Sequence, residues 1–403
     1  MKNWGLKTLR MIGFAAIALV IFASAAYAFD VPVVKAIGAA LGLGGAGAGG
    51  LGMVGAATAQ PVMDQRPTVL PFRQNTRQKI ASLAGTMSYS LGGRAQVTLP
   101  QIGYLSKIYL RFNGTLTFSG GATPAKFAPY SIFNRVQVDL NSNKQTLVDA
   151  SGYQLFLLNS VRKKNARLDQ GTDSDFYVFP SSGSAQTFRA TLEVPIAVSD
   201  GNNFMNGLIN LQAPELQCNV TVQFASALTD IADTVTAATG SVDVIYEYYE
   251  VPDPSQVQQP FLGLHKILAQ TNVITGTGEN RYTVPRGGKI LRLIHVLECN
   301  GAKSDAYDKQ EIILNQSQGI YDVPKWASKF RNRQMYGYTL PTGTIVWDFM
   351  NAYDIAEESD QRDVLNTERV TTTESVVTVT AGTTLGSNNN FLHTLREIYQ
   401  VPS

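Results

Sequence analysis

One short residue pattern occurs twice in this chain, 185 residues apart. Residues 98–108 read T-L-P-Q-I-G-Y-L-S-K-I, and residues 283–293 read T-V-P-R-G-G-K-I-L-R-L. They share Thr, Pro, Gly and a basic residue at the same spacing, with apolar residues at matching positions between them. A second match follows in the same order, V-D-L-N at 138–141 and I-I-L-N at 312–315, with an offset of 174. The repeat predicts two tandem domains of related topology. The offsets differ because a loop between the two matches has a different length in each domain.

The rest of the body indicates which kind of domain is duplicated. Apolar and polar residues alternate in short runs, among them 136–140, 191–194, 218–224 and 242–249. Residues 105–118 read as two further runs, with Asn113-Gly114 as the bend or turn between them. Segments rich in Val, Thr and aromatic residues at this spacing favour β-sandwiches over βαβ units. Only residues 152–159 and 326–335 are good helix candidates.

A proline-rich segment predicts where the two domains divide. Residues 251–260 contain three prolines and no apolar periodicity, and proline fits neither a helix interior nor a central strand. The chain of 403 residues is therefore predicted to consist of an N-terminal arm (1–77), a first domain (78–250), this linker and a second domain (261–403).

The N-terminal arm differs in composition from the body. Residues 1–10 are basic, residues 11–28 carry no charge, and the stretch closes with A-Y-A. This is the pattern of a cleavable secretory signal, although eighteen uncharged residues are also long enough for a retained membrane segment.

Residues 38–55 of the arm are almost entirely Gly, Ala and Leu. The dinucleotide-like spacing of Gly42, Gly44 and Gly47 lacks the preceding strand and following helix that such a site needs, so we reject that interpretation. Gly45 and Gly49 have the spacing that lets helices approach closely in lipid, but a flexible apolar arm fits the composition equally well.

Charge is distributed unevenly. Residues 1–77 carry a net charge of +5, whereas the whole chain carries +2, which leaves −3 on the body. A basic, apolar arm suits contact with an anionic membrane surface or a secretion signal. The small overall charge argues against general or sequence-specific nucleic-acid binding.

No motif in the sequence builds an active site, and we predict no catalytic, cofactor-binding or metal-binding residues. A phosphate-binding loop and a zinc-protease motif are both missing from the sequence. His265, His295 and His393 are each isolated and are expected to be structural. Cys218 and Cys299 lie on strand-like runs and are expected to be buried free thiols.

Several charged clusters have two interpretations each. The acidic groups at 173–175 and 357–360 could bind calcium or act as acid and base, but solvated loops are favoured because no full ligand set accompanies them. The basic clusters at 162–167 and 329–333 could contact nucleic acid or an acidic neighbour, and a solvated face is again favoured.

The order of several segments resembles a known family. These are G-Y-L-S-K-I-Y-L at 103–110, F-A-P-Y-S-I-F-N-R-V-Q-V at 127–138, A-S-G-Y-Q-L-F-L-L-N at 150–159, L-E-V-P-I-A at 192–197 and P-K-W-A at 324–327 with the basic run to Arg333. Together they resemble the double jelly-roll major capsid proteins of the tectivirus–adenovirus lineage, most closely those of membrane-containing bacteriophages. The likeness covers roughly residues 78–340.

The resemblance implies an all-β fold of two tandem eight-stranded jelly rolls. It also implies a structural coat protein without enzymatic activity or cofactors. Its homotrimers would be pseudo-hexagonal and would tile an icosahedral shell. The implied partners are further copies of the chain, minor capsid or vertex proteins and an internal lipid membrane reached by the arm, and the implied location is the virion.

Two alternatives stay open at this point. An exported bacterial adhesin or glycan-binding sandwich would account for the signal-like start, which departs from a coat protein assembled in the cytoplasm. A leader removed during assembly or a wrongly assigned start codon would reconcile that start with the coat protein. A glycan-degrading sandwich enzyme would need two carboxylates about 5–10 Å apart in a cleft.

Overall fold

The computed structural model describes residues 70, 72–141, 145–163, 179, 182–200, 204–260, 263–316, 318–350, 364–387 and 389–400. The chain divides into two compact units, residues 1–65 and 66–403, and every described residue belongs to the second. The signal-like segment, the Gly-rich part of the arm and both acidic groups lie outside the described residues, so these predictions stay predictions. Within the described ranges, no helix is long and apolar enough to cross a membrane.

The first part of this unit is a β-sandwich with two helices of its own and two short 3₁₀ turns. In chain order its elements are α1 (Phe72–Asn75), β1 (Gln78–Ser88), β2 (Arg94–Thr98), β3 (Tyr104–Phe118), β4 (Phe133–Leu140), β5 (Gln145–Ala150), α2 (Gly152–Lys163), β6 (Ala185–Pro195), β7 (Val198–Asp200), β8 (Phe204–Asn206), β9 (Ile209–Asn210), β10 (Cys218–Phe224) and β11 (Val235–Tyr249).

The second part is another sandwich with one helix. Its elements are β12 (Leu264–Val273), β13 (Gly278–Thr283), β14 (Lys289–Cys299), β15 (Ala302–Lys303), β16 (Tyr307–Leu314), β17 (Gln318–Pro324), α3 (Lys325–Tyr336), β18 (Thr344–Asp348), β19 (Leu365–Asn366), β20 (Thr373–Val379) and β21 (Phe391–Gln400).

The two sandwiches have the same topology. Without the short strands β7–β9, β15 and β19, each has eight strands, which we number one to eight within each roll. In both rolls one sheet has the order 1-8-3-6 and the other 2-7-4-5, namely β1-β11-β3-β6 and β2-β10-β4-β5 in the first roll, then β12-β21-β14-β18 and β13-β20-β16-β17 in the second. This is the eight-stranded jelly roll, so the predicted fold is confirmed.

The sequence repeat falls on equivalent positions of this topology. The first match covers the end of strand two and the start of strand three in each roll, and the second covers the end of strand four. Both are framework strands. The core of the first roll lies between its sheets and contains fully buried aromatic side chains such as Phe112, Phe188 and Phe224, each of which contributes about 1.5–3 kcal/mol by its burial.

The prediction of a turn at Asn113-Gly114 is wrong, because β3 runs through both residues without interruption. Gly114 pairs with Gly240 of β11. A β-carbon at position 114 would collide with the Thr239 carbonyl oxygen and with the Phe112 ring. The glycine therefore allows two strands to approach closely and does not form a bend.

Both predicted helices are present, and each extends beyond the predicted range. α2 begins after Ser151, whose hydroxyl accepts a hydrogen bond from the Gln154 backbone while Gln154 Oε1 accepts one from the Ser151 backbone. This is a capping box. α3 follows Pro324 and ends at Gly337, whose φ of 74° is the left-handed conformation that favours glycine at a helix end.

The predicted linker, residues 251–260, contains no helix or extended strand, although Val257 forms an isolated parallel bridge with Leu70. Every described β-pairing before it stays within the first roll and every pairing after it within the second, apart from one short junction between β5 and β12. The division into two domains at 251–260 stays a prediction.

Candidate interaction surface

The two rolls are joined edge to edge. Strand five of the first roll, β5, runs parallel to strand one of the second, β12, with Val148 opposite Ile267 and Asp149 opposite Leu268. The pairing is short, but the apolar contact around it is extensive. The outward face of the second roll's 1-8-3-6 sheet packs into the same hydrophobic cluster as the first roll's core, and the cluster members that it contributes are Ile267, Ile294, Val296, Val346 and Leu395.

Helix α2 lies in this junction and contacts the second roll along its length. At its start, Lys303 donates a hydrogen bond to the Tyr153 hydroxyl (3.2 Å) and lies over the Tyr153 ring. In its second half, the Ser160 and Tyr338 hydroxyls are 2.5 Å apart. Ten of its twelve residues are buried.

A buried cluster of charged groups forms near the last turn of α2. Glu397 of β21 accepts a hydrogen bond from Arg292 of β14 at 2.8 Å, and Arg162 of α2 lies 3.8 Å away. Arg292 also pairs with Asp348 at 3.1 Å. The Tyr336 hydroxyl of α3 donates to that same carboxylate at 3.1 Å. Three strands and two helices from both rolls therefore meet at one ionic network.

His265 of β12 completes the network. Its Nδ1 lies 3.0 Å from the Ile196 carbonyl oxygen, and its Nε2 lies 2.9 Å from Glu397 Oε1. Both neighbours are hydrogen-bond acceptors. His265 thereby ties the first roll's backbone to the second roll's carboxylate.

The environment of this network shifts the pKa values of its members. Burial disfavours the charge of Glu397, but Arg292, Arg162 and His265 outweigh it and hold the pKa of Glu397 well below its usual value. Burial likewise opposes the charge of Arg292, but Asp348 and Glu397 raise its pKa above the usual value. For Arg162 burial is the stronger effect and lowers its pKa. The network is thus a set of compensated buried charges.

Helix α3 occupies in the second roll the position that α2 occupies in the first. Each helix directly follows strand five of its roll. Phe330 is the sixth residue of α3, as Leu157 is of α2. Leu157 is fully buried, whereas Phe330 is 59% exposed and Trp326, one turn earlier, is 74% exposed. The aromatic face of α3 is therefore not covered by any of the residues that the structure describes.

The first roll has a charged pair, Lys107 and Glu247, at the position that corresponds to the ionic network. This pair is partly exposed. Lys107 and Arg292 hold the same place in the sequence repeat, and each pairs across the sheet with a glutamate of strand eight, Glu247 and Glu397 respectively. Lys107 Nζ lies 3.7 Å from Glu247 with its side chain 32% exposed, whereas Arg292 is only 7% exposed.

The remaining residues singled out in the sequence have structural neighbours. His295 lies between the sheets of the second roll and bonds to Thr394 and Ser375, each at 2.9 Å. His393 lies 3.1 Å from Glu298, which also binds Lys126 of the first roll. Cys218 and Cys299 are buried free thiols, as predicted. No group of three or more metal-binding side chains occurs among the described residues.

The described parts of the basic clusters fit the expected solvated faces only in part, and residues 164–167 lie outside the described residues. Arg162 is enclosed in the junction, and Lys163 pairs with Glu193. Lys329 pairs with Asp305, while Arg333 is exposed at the end of α3. Sequence reasoning missed Glu397, Arg292 and Asp348, although the basic position that Lys107 and Arg292 share in the repeat was a signal for one of them.

Comparison with known proteins supports the same fold. No protein-family model matches the sequence. No curated protein matches it either. Among solved structures, the chain is similar to the major capsid protein of Sulfolobus turreted icosahedral virus, with a TM-score of 0.62, 14% identity, and coverage of 81% of this chain and 97% of the viral one. A chain in the atomic structure of the same virus matches with the same TM-score, identity and coverage of this chain, and 91% of the matched chain is covered.

A further similar structure is the quasi-atomic model of the PBCV-1 virus capsid, with a TM-score of 0.57, 14% identity, and coverage of 81% of this chain and 95% of the matched chain. The identities are low, so the likeness defines the fold. The chain has the double jelly-roll fold, and the solved structures that it resembles are major capsid proteins of double jelly-roll viruses. The resemblance predicted from the sequence is thus confirmed at the level of fold.

Proposed function

We propose that this chain is a structural major capsid protein of a virion. The observation that carries the proposal is that the fold likeness extends over both rolls and over 97% of a viral major capsid protein. The matched chains are named as capsid components, so a coat role accounts for the whole described body rather than for one domain of it. No observation on the described residues favours the exported adhesin or the glycan-binding alternative.

We further infer that the coat building block is a homotrimer. Two rolls of identical topology lie side by side in each chain, so three chains supply six similar units, which suits a pseudo-hexagonal tile. The uncovered aromatic face of α3 supports an additional protein contact, because large exposed aromatic side chains close together usually mark an interaction surface.

The finer predictions rest on the sequence alone. Contact between the arm and an internal membrane is supported by the basic, apolar composition of residues 1–77. Minor capsid or vertex proteins as partners and a tectivirus-like bacteriophage as the source follow from the family resemblance, and the role is inferred to be structural rather than enzymatic.

Sedimentation velocity and negative-stain electron microscopy of the purified full chain test the proposal. We expect a stable species with three times the mass of one chain and a hexagonal outline in projection. A chain that remains monomeric at micromolar concentrations would contradict the coat proposal and would favour a monomeric exported sandwich. Mass spectrometry of isolated particles that contain this chain should identify it as the most abundant protein.

A further inference from the structure

The junction between the two rolls uses one side of each roll, and the chain has a second, unused example of each side. In the junction, strand five and the following helix of the first roll meet strand one and the outer sheet face of the second. The unused helix side consists of β17 and α3, with Trp326, Phe330 and Arg333. We call it the helix face. β17 and α3 hold the same places in the second roll that β5 and α2 hold in the first.

The unused sheet side is the outer face of the first roll's 1-8-3-6 sheet. We call it the sheet face and define it by Gln78, Ile80, Lys107, Tyr109 and Glu247. Glu247 lies opposite Ile80 on one neighbouring strand and opposite Lys107 on the other. In an antiparallel sheet, residues directly opposite each other project from the same face, so these side chains form one surface.

Each residue of the sheet face has a buried counterpart in the junction. The strand registers equate Ile80 with Ile267, because they lie opposite Glu247 and Glu397 respectively. The sequence repeat equates Tyr109 with Ile294. Ile267 and Ile294 are fully buried by the first roll, whereas Ile80 is 65% exposed and Tyr109 is half-buried.

The polar groups correspond in the same way. Two residues before the isoleucine stands His265 in the junction and Gln78 in the sheet face. His265 lies 2.9 Å from Glu397, and the Gln78 amide donates to Glu247 at 2.6 Å. Tyr109 donates to the other oxygen of Glu247 at 2.8 Å. The sheet face therefore reproduces the glutamate, its cation and its strand-one partner, without the helix that covers them in the junction.

We propose that the helix face of one chain binds the sheet face of a second copy, so that contacts between chains repeat the junction within each chain. Strand β17 then runs parallel to β1 of the neighbour. Tyr321 and Asp322 correspond to Val148 and Asp149 of the first roll. If the contact between chains has the same register as the internal junction, Tyr321 lies opposite Ile80 and Asp322 lies opposite Ala81. Trp326, Phe330 and Arg333 are exposed on α3 and cover the neighbour's outer sheet.

This interface is heterologous, since it joins two different faces. A heterologous contact either closes into a ring or continues as an open filament. The inference builds on the proposed trimer, in which the ring closes after three chains, and it names the surfaces and strands that form the ring. Free strand edges are natural sites for such strand addition.

Cross-linking of cysteine variants tests the pairing directly. Full-length chains carrying both Ala81→Cys and Asp322→Cys, which this register places opposite each other, are treated with a short bismaleimide, and the native thiols are buried. We expect covalent dimers and trimers and no larger species. A mixture of the two single variants should give dimers only. Cross-linked dimers from Ala81→Cys alone would indicate a symmetric contact between identical faces and would overturn the proposal.

Sedimentation of Ile80→Asp provides the second measurement, with Val273→Asp as the matched control. Val273 lies at the end of the other strand one, β12, and is 62% exposed. We expect Ile80→Asp to raise the trimer dissociation constant more than tenfold, while Val273→Asp leaves it unchanged. At a concentration low enough to dissociate the trimer, both variants should unfold at the same temperature as the native chain.

The outcomes separate this inference from the coat proposal. A trimer that is unaffected by Ile80→Asp and whose cysteine variant yields no 81–322 cross-link would overturn the interface and leave the trimer standing. A monomeric native chain would overturn both. A trimer that yields the expected cross-links and is weakened only by Ile80→Asp would support the interface.

Discussion

Helices α2 and α3 follow the same strand in the same fold, yet one is enclosed and the other is open. α2 buries ten of its residues, whereas α3 buries only Ser328, Asn332 and Tyr336. The difference does not come from the helix or from its own roll, because both rolls have the same topology. It comes from the neighbour, since α2 has a second roll beside it within the chain.

The largest expected effect is at the matched positions Leu157 and Phe330 of the two helices. Leu157→Ala should lower the free energy of unfolding by about 2–5 kcal/mol, because it removes a fully buried side chain from a packed core. Phe330→Ala should change it by no more than about 0.5 kcal/mol in the dissociated chain, because the ring is mostly solvated. Denaturant titration at a concentration low enough to prevent association measures both. Equal losses would mean that α3 is as enclosed as α2.

The two glutamates give the next comparison. Glu397→Gln should cost about 3–5 kcal/mol, because it leaves Arg292 and Arg162 without their shared carboxylate inside the junction. Glu247→Gln should cost about 1 kcal/mol or less, because Lys107 reaches solvent. The same denaturant titrations apply. If Glu247→Gln lowered the free energy of unfolding as much as Glu397→Gln does, the two glutamates could not differ in burial as the structure shows.

One interior position of strand three is apolar in the first roll, where it is Leu110, and is a histidine in the second, where it is His295. Burial lowers the pKa of His295 from 6.5 to about 3. Between these values the unfolded chain binds a proton that the folded chain does not. The stabilisation is therefore complete above about pH 6.5 and falls by about 1.4 kcal/mol per unit as the pH drops towards 3.

His295→Leu copies the first roll and should remove this part of the pH dependence. The measurement is the free energy of unfolding of both proteins from pH 7 to pH 4. Leu110→Ile, an apolar change at the equivalent position, serves as the control and should leave the slope unaltered. An unchanged slope in His295→Leu would show that other groups cause the acid sensitivity.

The smallest effect concerns the two thiols, one in each roll. Burial raises the pKa of Cys218 to about 12 and raises that of Cys299 above its usual value. Both should therefore react with iodoacetamide far more slowly in the folded chain than in denaturant. Cys299, at 6% exposure against 1%, should be the faster of the two. Rapid alkylation of Cys218 in the native protein would contradict its position in the core.

Much of this architecture could be predicted from local patterns. The repeat at 98–108 and 283–293 marked strands two and three in both rolls, and the helices were predicted after the correct strands. The turn predicted at Asn113-Gly114 is wrong, because Gly114 allows a close approach to Gly240, which lies 126 residues further along the chain. The ionic network depends on equally distant partners, such as Arg162 and Glu397, so no local pattern could reveal it.

The internal junction has consequences for solubility. Because one chain carries both halves of that contact, the halves meet at a high effective concentration and stay together once folded. The junction can therefore hold charges and apolar side chains that no free subunit ever shows to water. The faces between chains must first exist in solution, where polar neighbours such as Lys79 and Gln78 flank Ile80. Covalent fusion of two rolls thus halves the number of adhesive surfaces that a newly made subunit must keep soluble before it meets its neighbours.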